Sequence, residues 1–95
     1  MHNEGAVNLC NYTAAAPFIL PYDGYVGVKC SKGAAQYATL YIETNIADGV
    51  IGVRSQGDNS NADFNAIWVK KGMKVYGVVS NTTYGAVTYV PVRSE

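Results

Sequence analysis

The chain has 95 residues, of which 48% are hydrophobic and 15% charged, and its seven basic and seven acidic side chains cancel. This composition fits one small folded domain and excludes an intrinsically disordered chain. It also argues against a nucleic-acid-binding protein, because there is no excess of positive charge to contact phosphates.

The N-terminal residues lack the basic segment and apolar core of a signal peptide, and the longest apolar runs are too short to cross a bilayer. We therefore expect either a chain that is made in the host cytoplasm or a domain excised from a longer protein, in both cases without a membrane-embedded segment. Residues 1–10 are predicted to be a flexible leader, and residues 11–95 a single domain. Without an export signal, free thiols at Cys10 and Cys30 are favoured over a disulfide between them.

Most of the chain consists of short segments with alternating side-chain character, separated by turn residues. No ten-residue window combines a helical period with a cap. Prolines bracket residues 17–21, which predicts an extended segment at a sheet edge. The predicted strands cover residues 11–16, 17–21, 25–32, 36–44, 50–54, 63–69, 73–79 and 86–92. Strands of this length and spacing predict an all-β fold, an antiparallel β-sandwich or a barrel.

The strand at 25–32 is the element around which the others are arranged. Its uniformly apolar side, Val26, Val28 and Cys30, is predicted to face the core. The preceding turn ends at Gly24, where we expect a positive φ. A second Asp-Gly pair, at Gly49, predicts a hairpin turn over 45–49. Exposed loops are predicted at 55–61 and 81–85.

Several strands are apolar on both sides, which a lone sandwich does not require. In the strand at 63–69, Ile67 and Val69 take one side, and Phe64, Ala66 and Trp68 take the other. Since no helices are available as cover, other copies of the chain are the economical cover. The alternative is that single aromatic residues sit on an ordinary surface. The predicted oligomer interface consists of Phe64, Trp68, Tyr76, Tyr89 and Tyr41.

Four short motifs resemble one family. They are Pro-x-Asp-Gly-Tyr-Val at 21–26, Tyr-Ile-Glu…Gly-Val at 41–50, Val-Lys-Lys-Gly-Met-Lys-Val at 69–75 and Tyr-Val-Pro at 89–91. They are similar to motifs of small trimeric jelly-roll domains, which form the heads of complement-like and tumour-necrosis-factor-like proteins and the receptor-binding heads of bacteriophage tail and head fibres. The resemblance covers about residues 14–92. Met73 departs from it, because an acidic residue usually follows the Lys-Gly pair.

The short chain favours the phage type. The resemblance implies a jelly-roll-like homotrimer at the fibre tip of a virion, with tyrosine-rich faces around a threefold axis and distal loops free for a ligand. The expected function is non-enzymatic binding of a bacterial surface receptor, a glycan or a protein. Two alternatives remain: a trimerisation cap or capsid decoration protein without a ligand, and a monomeric carbohydrate-binding module.

Loop residues are the candidates for ligand contact. An aromatic ring covers the apolar face of a sugar while its polar edge stays wet, which favours Tyr84 in its loop. The other candidates are Asn81, Asn59 and Asn61.

No cofactor, metal or catalytic centre is expected. The loop at 58–63 has alternating oxygen ligands but lacks the glycine and glutamate of a helix–loop–helix calcium site. His2 is the single histidine, so a catalytic triad or a multi-histidine zinc site is not available.

Overall fold

The computed structural model describes residues 5–33, 35–44 and 49–92. Within these ranges the chain forms eight strands, no α-helix and one 3-10 turn, Leu9–Asn11. The strands are β1 Val7–Asn8, β2 Phe18–Ile19, β3 Gly24–Cys30, β4 Gln36–Glu43, β5 Val50–Gly57, β6 Asp63–Val69, β7 Lys74–Val79 and β8 Gly85–Pro91.

The strands form two four-stranded sheets that pack face to face. The front sheet has the order β1-β8-β3-β6, and the back sheet has the order β2-β7-β4-β5. Every pair is antiparallel. The predicted antiparallel β-sandwich is confirmed. Apart from the β4–β5 hairpin, each strand is followed by one in the other sheet, so the two sheets are joined by repeated crossings.

Alternation of side chains along β3 defines the core side of the front sheet. Val26, Val28 and Cys30 are fully buried, as predicted. The prediction of a positive φ at Gly24 is wrong, because Gly24 is not among the glycines with positive φ. Glycine is required there for space, since a Cβ would overlap the carbonyl oxygen of Val90 on β8.

Tyr89 lies in the core between the sheets. Its side chain is fully buried, and its hydroxyl donates a hydrogen bond of 2.7 Å to the carbonyl oxygen of Tyr22. Burial raises the pKa of this hydroxyl, the Tyr22 hydrogen bond opposing the shift. The prediction that Tyr89 belongs to an oligomer interface is therefore wrong, because its ring is covered within one chain.

The domain begins earlier than residue 11. β1 pairs with β8, and Leu9 is fully buried. The predicted strand at 11–16 is wrong, because Thr13 and Ala16 exchange backbone hydrogen bonds of 3.2 and 3.1 Å. The Thr13 hydroxyl also accepts from the Ala16 N–H at 3.1 Å. Side-chain bonds of this kind compete with strand pairing and form a turn instead.

The other predicted strands differ from those of the structure mainly at their ends. The segment at 17–21 contains β2 at the edge of the back sheet, as predicted. β5 continues to Gly57, so the predicted loop at 55–61 begins later. The turn predicted at 45–49 lies, except for Gly49, outside the described residues. Gly49 has φ +74°.

The sandwich has two distinct ends. At the base end, the Val92 N–H donates to the Asp23 carbonyl at 2.9 Å, and the Lys71 N–H donates to the Asp23 carboxylate at 2.8 Å. Gly5 lies there as well, against Pro91. At the loop end are residues 31–33 and 35 and the segments 58–62 and 80–84, which follow or precede the opposite ends of the same strands.

Candidate functional site

The loop end brings together the ligand candidates predicted from the sequence. The Ser31 N–H donates to the carbonyl of Tyr84 at 2.7 Å, and the Gly33 N–H donates to the carbonyl of Asp58 at 2.9 Å. The segment at 31–33 therefore joins the loop that carries Asn59 to the loop that carries Tyr84. These residues are distant in sequence and form one surface.

Asp58 holds the first of these loops in shape. Its Oδ1 accepts hydrogen bonds from the N–H groups of Ser60 at 2.8 Å and Asn61 at 2.7 Å. The bond from Ser60, followed by that from Asn61, lowers the pKa of the Asp58 carboxyl below its ordinary value. Asn59, at the apex, is exposed. Asn59 therefore presents its side-chain amide from a preformed turn.

The second loop is held by Asn81. Its Oδ1 accepts from the Thr83 N–H at 2.8 Å, and its carbonyl accepts from the N–H groups of Tyr84 and Gly85, both at 3.0 Å. The half-buried Tyr84 ring packs on Gly33, which has φ +154° and no room for a Cβ beside the ring. Asn81 thus shapes the loop, while Tyr84 is fixed with one part of its ring outward.

The outer face of the front sheet carries three exposed aromatic residues. Tyr25, Phe64 and Trp68 are 50%, 61% and 45% exposed. Tyr25 and Trp68 are directly opposite on β3 and β6, with ring centroids 4.7 Å apart and ring planes at 74°. The Phe64 ring lies over Gly27. Tyr25 is not among the residues predicted for an interface, although its outward direction follows from the alternation in β3.

The outer face of the back sheet is also aromatic, but its residues cover one another. The rings of Tyr41 and Tyr76 are stacked at 5.1 Å with an interplanar angle of 23°. The Arg54 guanidinium lies 4.4 Å from the centre of the Tyr37 ring, and its Nε donates to the Thr39 hydroxyl at 3.2 Å. As a result Thr39, although outward-facing, is only 3% exposed.

The residues predicted to form one interface are therefore in three places. Phe64 and Trp68 share the outer face of the front sheet, Tyr41 and Tyr76 share that of the back sheet, and Tyr89 is in the core. The two faces point in opposite directions, so these residues do not form one continuous surface.

A groove of about 460 Å³ runs beside β7, lined by residues 76–79, Cys10, Thr82 and neighbouring side chains. Burial raises the pKa of the Cys10 thiol, and a hydrogen bond from the Val87 backbone opposes the shift less strongly. A thiol with a raised pKa is a poor nucleophile at neutral pH. Cys10 and Cys30 are both free, as predicted. The sequence did not reveal the groove, which depends on how the N-terminal segment packs.

Over the described ranges, no cluster of three or more His, Cys, Asp or Glu side chains could hold a metal ion. None of the elements in those ranges is a helix of the length and hydrophobicity needed to cross a membrane. Comparisons of the chain with protein-family models, with curated proteins and with solved structures find no significant match.

Proposed function

We propose that this chain is a non-enzymatic jelly-roll head that forms a homotrimer and binds a receptor on a bacterial surface, a glycan or a protein, at the tip of a phage fibre. The observation that carries the proposal is the strand order. Sheets ordered β1-β8-β3-β6 and β2-β7-β4-β5 have the connectivity of an eight-stranded jelly roll, two Greek keys folded over each other.

The positions of the two ends of the sandwich support receptor binding at the loop end. Gly5 and Val92 lie at the base end, so a domain held there turns the loops at 58–62 and 80–84 away from its attachment. These loops offer an exposed amide at Asn59 and a fixed aromatic ring at Tyr84. Amides and aromatic rings suit reversible contact with sugar hydroxyls and polar peptide groups. Three copies would strengthen a weak single site by avidity.

Attachment of the labelled protein to a panel of bacterial strains tests the proposal. On a strain that binds the unmodified protein, Asn59→Ala should weaken attachment about tenfold, the value of roughly one hydrogen bond. Tyr84→Ala should weaken it at least as much, because the ring also orders the loop. The matched control is Tyr22→Ala, which removes a 39% exposed tyrosine at the base end.

The contradicting result is equally specific. If Asn59→Ala and Tyr84→Ala attach as strongly as Tyr22→Ala while their assembly is normal, the loops bind nothing. The chain would then be a trimerisation cap or a capsid decoration protein.

The second candidate function is a monomeric carbohydrate-binding module. The exposed rings of Tyr25, Phe64 and Trp68 favour it, since aromatic rings stack on sugars. The arrangement of the rings weakens it, because Tyr25 and Trp68 meet edge to face at 74° and do not form a flat platform. Binding of a soluble oligosaccharide by a chain of monomeric mass would support this alternative.

A further inference from the structure

We infer that the groove beside β7 binds an uncharged N-acetylated amino sugar of the bacterial surface and holds its acetamido group against the open edge of that strand. This inference deepens the proposed function, on which it rests for the source of the sugar. The groove has a volume of about 460 Å³, which lies within the range of small-molecule sites.

The floor of the groove is a strand edge with no strand beside it. β7 pairs with β4 on one side as far as Val79, but with β2 on the other side only at residues 74 and 75. The next residue in register, Ala16 opposite Gly77, instead donates its N–H to the Thr13 carbonyl at 3.1 Å in a turn. Beyond that point, this side of β7 has no neighbouring strand within the described chain.

Two hydrogen bonds fix the direction of the backbone groups in β7. The Ser80 N–H donates to a carbonyl oxygen of β4, and the Leu20 N–H donates to the Met73 carbonyl, both at 2.9 Å. Because backbone groups alternate between the two sides of a strand, those of Gly77 and Val79 point away from β4. Both residues line the groove, so its floor offers N–H donors and C=O acceptors at the spacing of a strand.

The walls of the groove are mostly apolar, and none of the residues found to line it is acidic or basic. Two aromatic rings and two smaller apolar side chains contribute to them: Tyr12, Tyr76, Ala14 and Val78. Burial raises the pKa of the Cys10 thiol, so this group is also neutral at pH 7. A charged sugar would lose its hydration here without gaining a counter-ion. The walls therefore select an uncharged ligand.

An acetamido group matches both the floor and the walls. Its N–H and C=O complement the open backbone groups of Gly77 and Val79, and its methyl group suits the apolar walls. Gly77 is buried, so a ligand that reaches it must replace water with hydrogen bonds of its own. The sugar ring that carries the acetamido group has an apolar face that an aromatic ring such as Tyr12 can cover.

The groove adjoins the loop end of the sandwich. Thr82 lines the groove and lies in the same loop as Asn81 and Tyr84. Because the Asn81 side chain accepts from the Thr83 N–H at 2.8 Å, the exposed Thr82 hydroxyl is carried by a turn that is already formed. A glycan that contacts the Tyr84 ring can therefore extend into the groove without crossing to another face.

The shape of the groove favours a sugar over a peptide strand. The 3-10 turn Leu9–Asn11 packs against β7, and Cys10 of this turn lines the groove. A peptide that adds to a sheet needs a clear track about 4.8 Å from the edge along its whole length. The bounded groove and the short open edge, residues 76–79, suit a compact ligand better.

An NMR titration of the isotope-labelled protein with N-acetylglucosamine tests the inference. The matched ligand is glucose, which has the same ring without the acetamido group. N-acetylglucosamine should shift the amide signals of Gly77, Val79 and Thr82, and glucose at the same concentrations should leave them in place. The amide signals of Tyr25 and Trp68, on the opposite face of the sandwich, should not move with either sugar.

Two pairs of variants locate the ligand in the groove. Ala14→Trp places a large ring in the groove and should abolish measurable binding. Its control is Ala15→Trp, at the next residue, which is also exposed but does not line the groove. Thr82→Val removes a hydroxyl and should weaken binding about three- to tenfold, the value of roughly one hydrogen bond. Thr83→Val is its control and should bind normally, and Thr82→Val remains informative if Ala14→Trp does not fold.

Three results would overturn the inference: equal shifts with both sugars, shifts that persist in Ala14→Trp, or no shift with N-acetylglucosamine. Shifts with an uncharged peptide but not with the sugar would assign the groove to peptides instead. The proposed function would still stand if Asn59→Ala and Tyr84→Ala weakened attachment to bacteria. Sugar binding in the groove by a protein that attaches to no bacterial strain would contradict the proposed function and leave the groove as a sugar site.

Discussion

The outer faces of the two sheets both carry aromatic rings, and those of the back sheet are less exposed than those of the front sheet. On the back sheet, Tyr41 and Tyr76 stack nearly parallel. On the front sheet, Tyr25 and Trp68 meet edge to face, and both remain about half exposed. Aromatic content therefore does not identify an interaction surface; what matters is whether neighbouring side chains cover the rings.

Position within the sheet explains the exposure of Trp68, although not that of Tyr25, which lies on the inner strand β3. Tyr41 and Tyr76 lie on β4 and β7, the two inner strands of the back sheet, where the Tyr41 ring also leans over Gly52 of β5. Trp68 lies on β6, at the edge of the front sheet, with a neighbouring strand on one side only. An edge ring lacks half of the neighbours that would cover it, and another molecule can supply them.

The largest expected effect is the difference in the free energy of unfolding between a core variant and a front-face variant. Tyr89→Ala removes a fully buried ring and should lower the free energy of unfolding by about 3–5 kcal/mol. Trp68→Ala, on the outside, loses the edge-to-face contact with Tyr25 and should lower it by only about 0.5–1.5 kcal/mol in the monomer. Urea unfolding at a concentration where the chain is monomeric measures both. Equal losses would mean that the monomer itself depends on the Trp68 ring.

The next largest effect concerns the hydrogen bonds by which Ser55 of β5 joins the back sheet to the front sheet. The buried Ser55 hydroxyl donates to the Val28 carbonyl at 2.6 Å and accepts from the Asn65 amide at 2.8 Å. Ser55→Ala leaves that amide without one partner and should cost about 1–3 kcal/mol of unfolding free energy. Ser60→Ala, in an exposed loop, is the control and should be nearly neutral. If both variants unfold at the same urea concentration, Ser55 does not hold the two sheets together.

A smaller difference in the free energy of unfolding is expected between aromatic residues of the back sheet and of the front sheet. Tyr41→Ala breaks the stack with Tyr76 and should cost about 0.5–1.5 kcal/mol beyond the area that becomes exposed. Phe64→Ala should cost less in the monomer and should weaken association instead. Unfolding and sedimentation, measured on the same samples, separate these outcomes. A reversal, with Tyr41 controlling association, would place the interface between copies on the back sheet.

The smallest effect is on the pH dependence of the loop end. Since the native pKa of Asp58 is lowered by the N–H groups of Ser60 and Asn61, its contribution to stability is complete above the unfolded value of about 3.9. It is lost as pH falls through the lower native pKa. Asp58→Asn should reduce this acid dependence, and an NMR titration should place the Asp58 midpoint below 3.9. A midpoint at or above that value would contradict the hydrogen-bonded turn.

Much of the fold is predictable from local alternation. Val26, Val28 and Cys30 are identified as core by a period of two, and the same rule separates Ile67 from Trp68. β1 is not predictable, because two residues carry no period and their pairing with β8 is non-local. The burial of the Tyr89 ring is not predictable either, because alternation separates the two sides of a strand without indicating which side faces the other sheet.

The candidate site is predictable only in its parts. Turn residues indicate the loops that carry Asn59 and Tyr84, but their meeting through residues 31–33 depends on strand order. The division of the aromatic residues between two faces depends on it too, because β3 pairs with strands about 40 and 60 residues away in sequence. No local pattern contains that information.

Light scattering on the unmodified protein over a range of micromolar concentrations tests the central claim most directly. We predict a mass of three chains of 10.2 kDa, with dissociation to single chains on dilution. A mass of one chain at every concentration would contradict it, because the exposed rings of Tyr25, Phe64 and Trp68 would then have no partner copy.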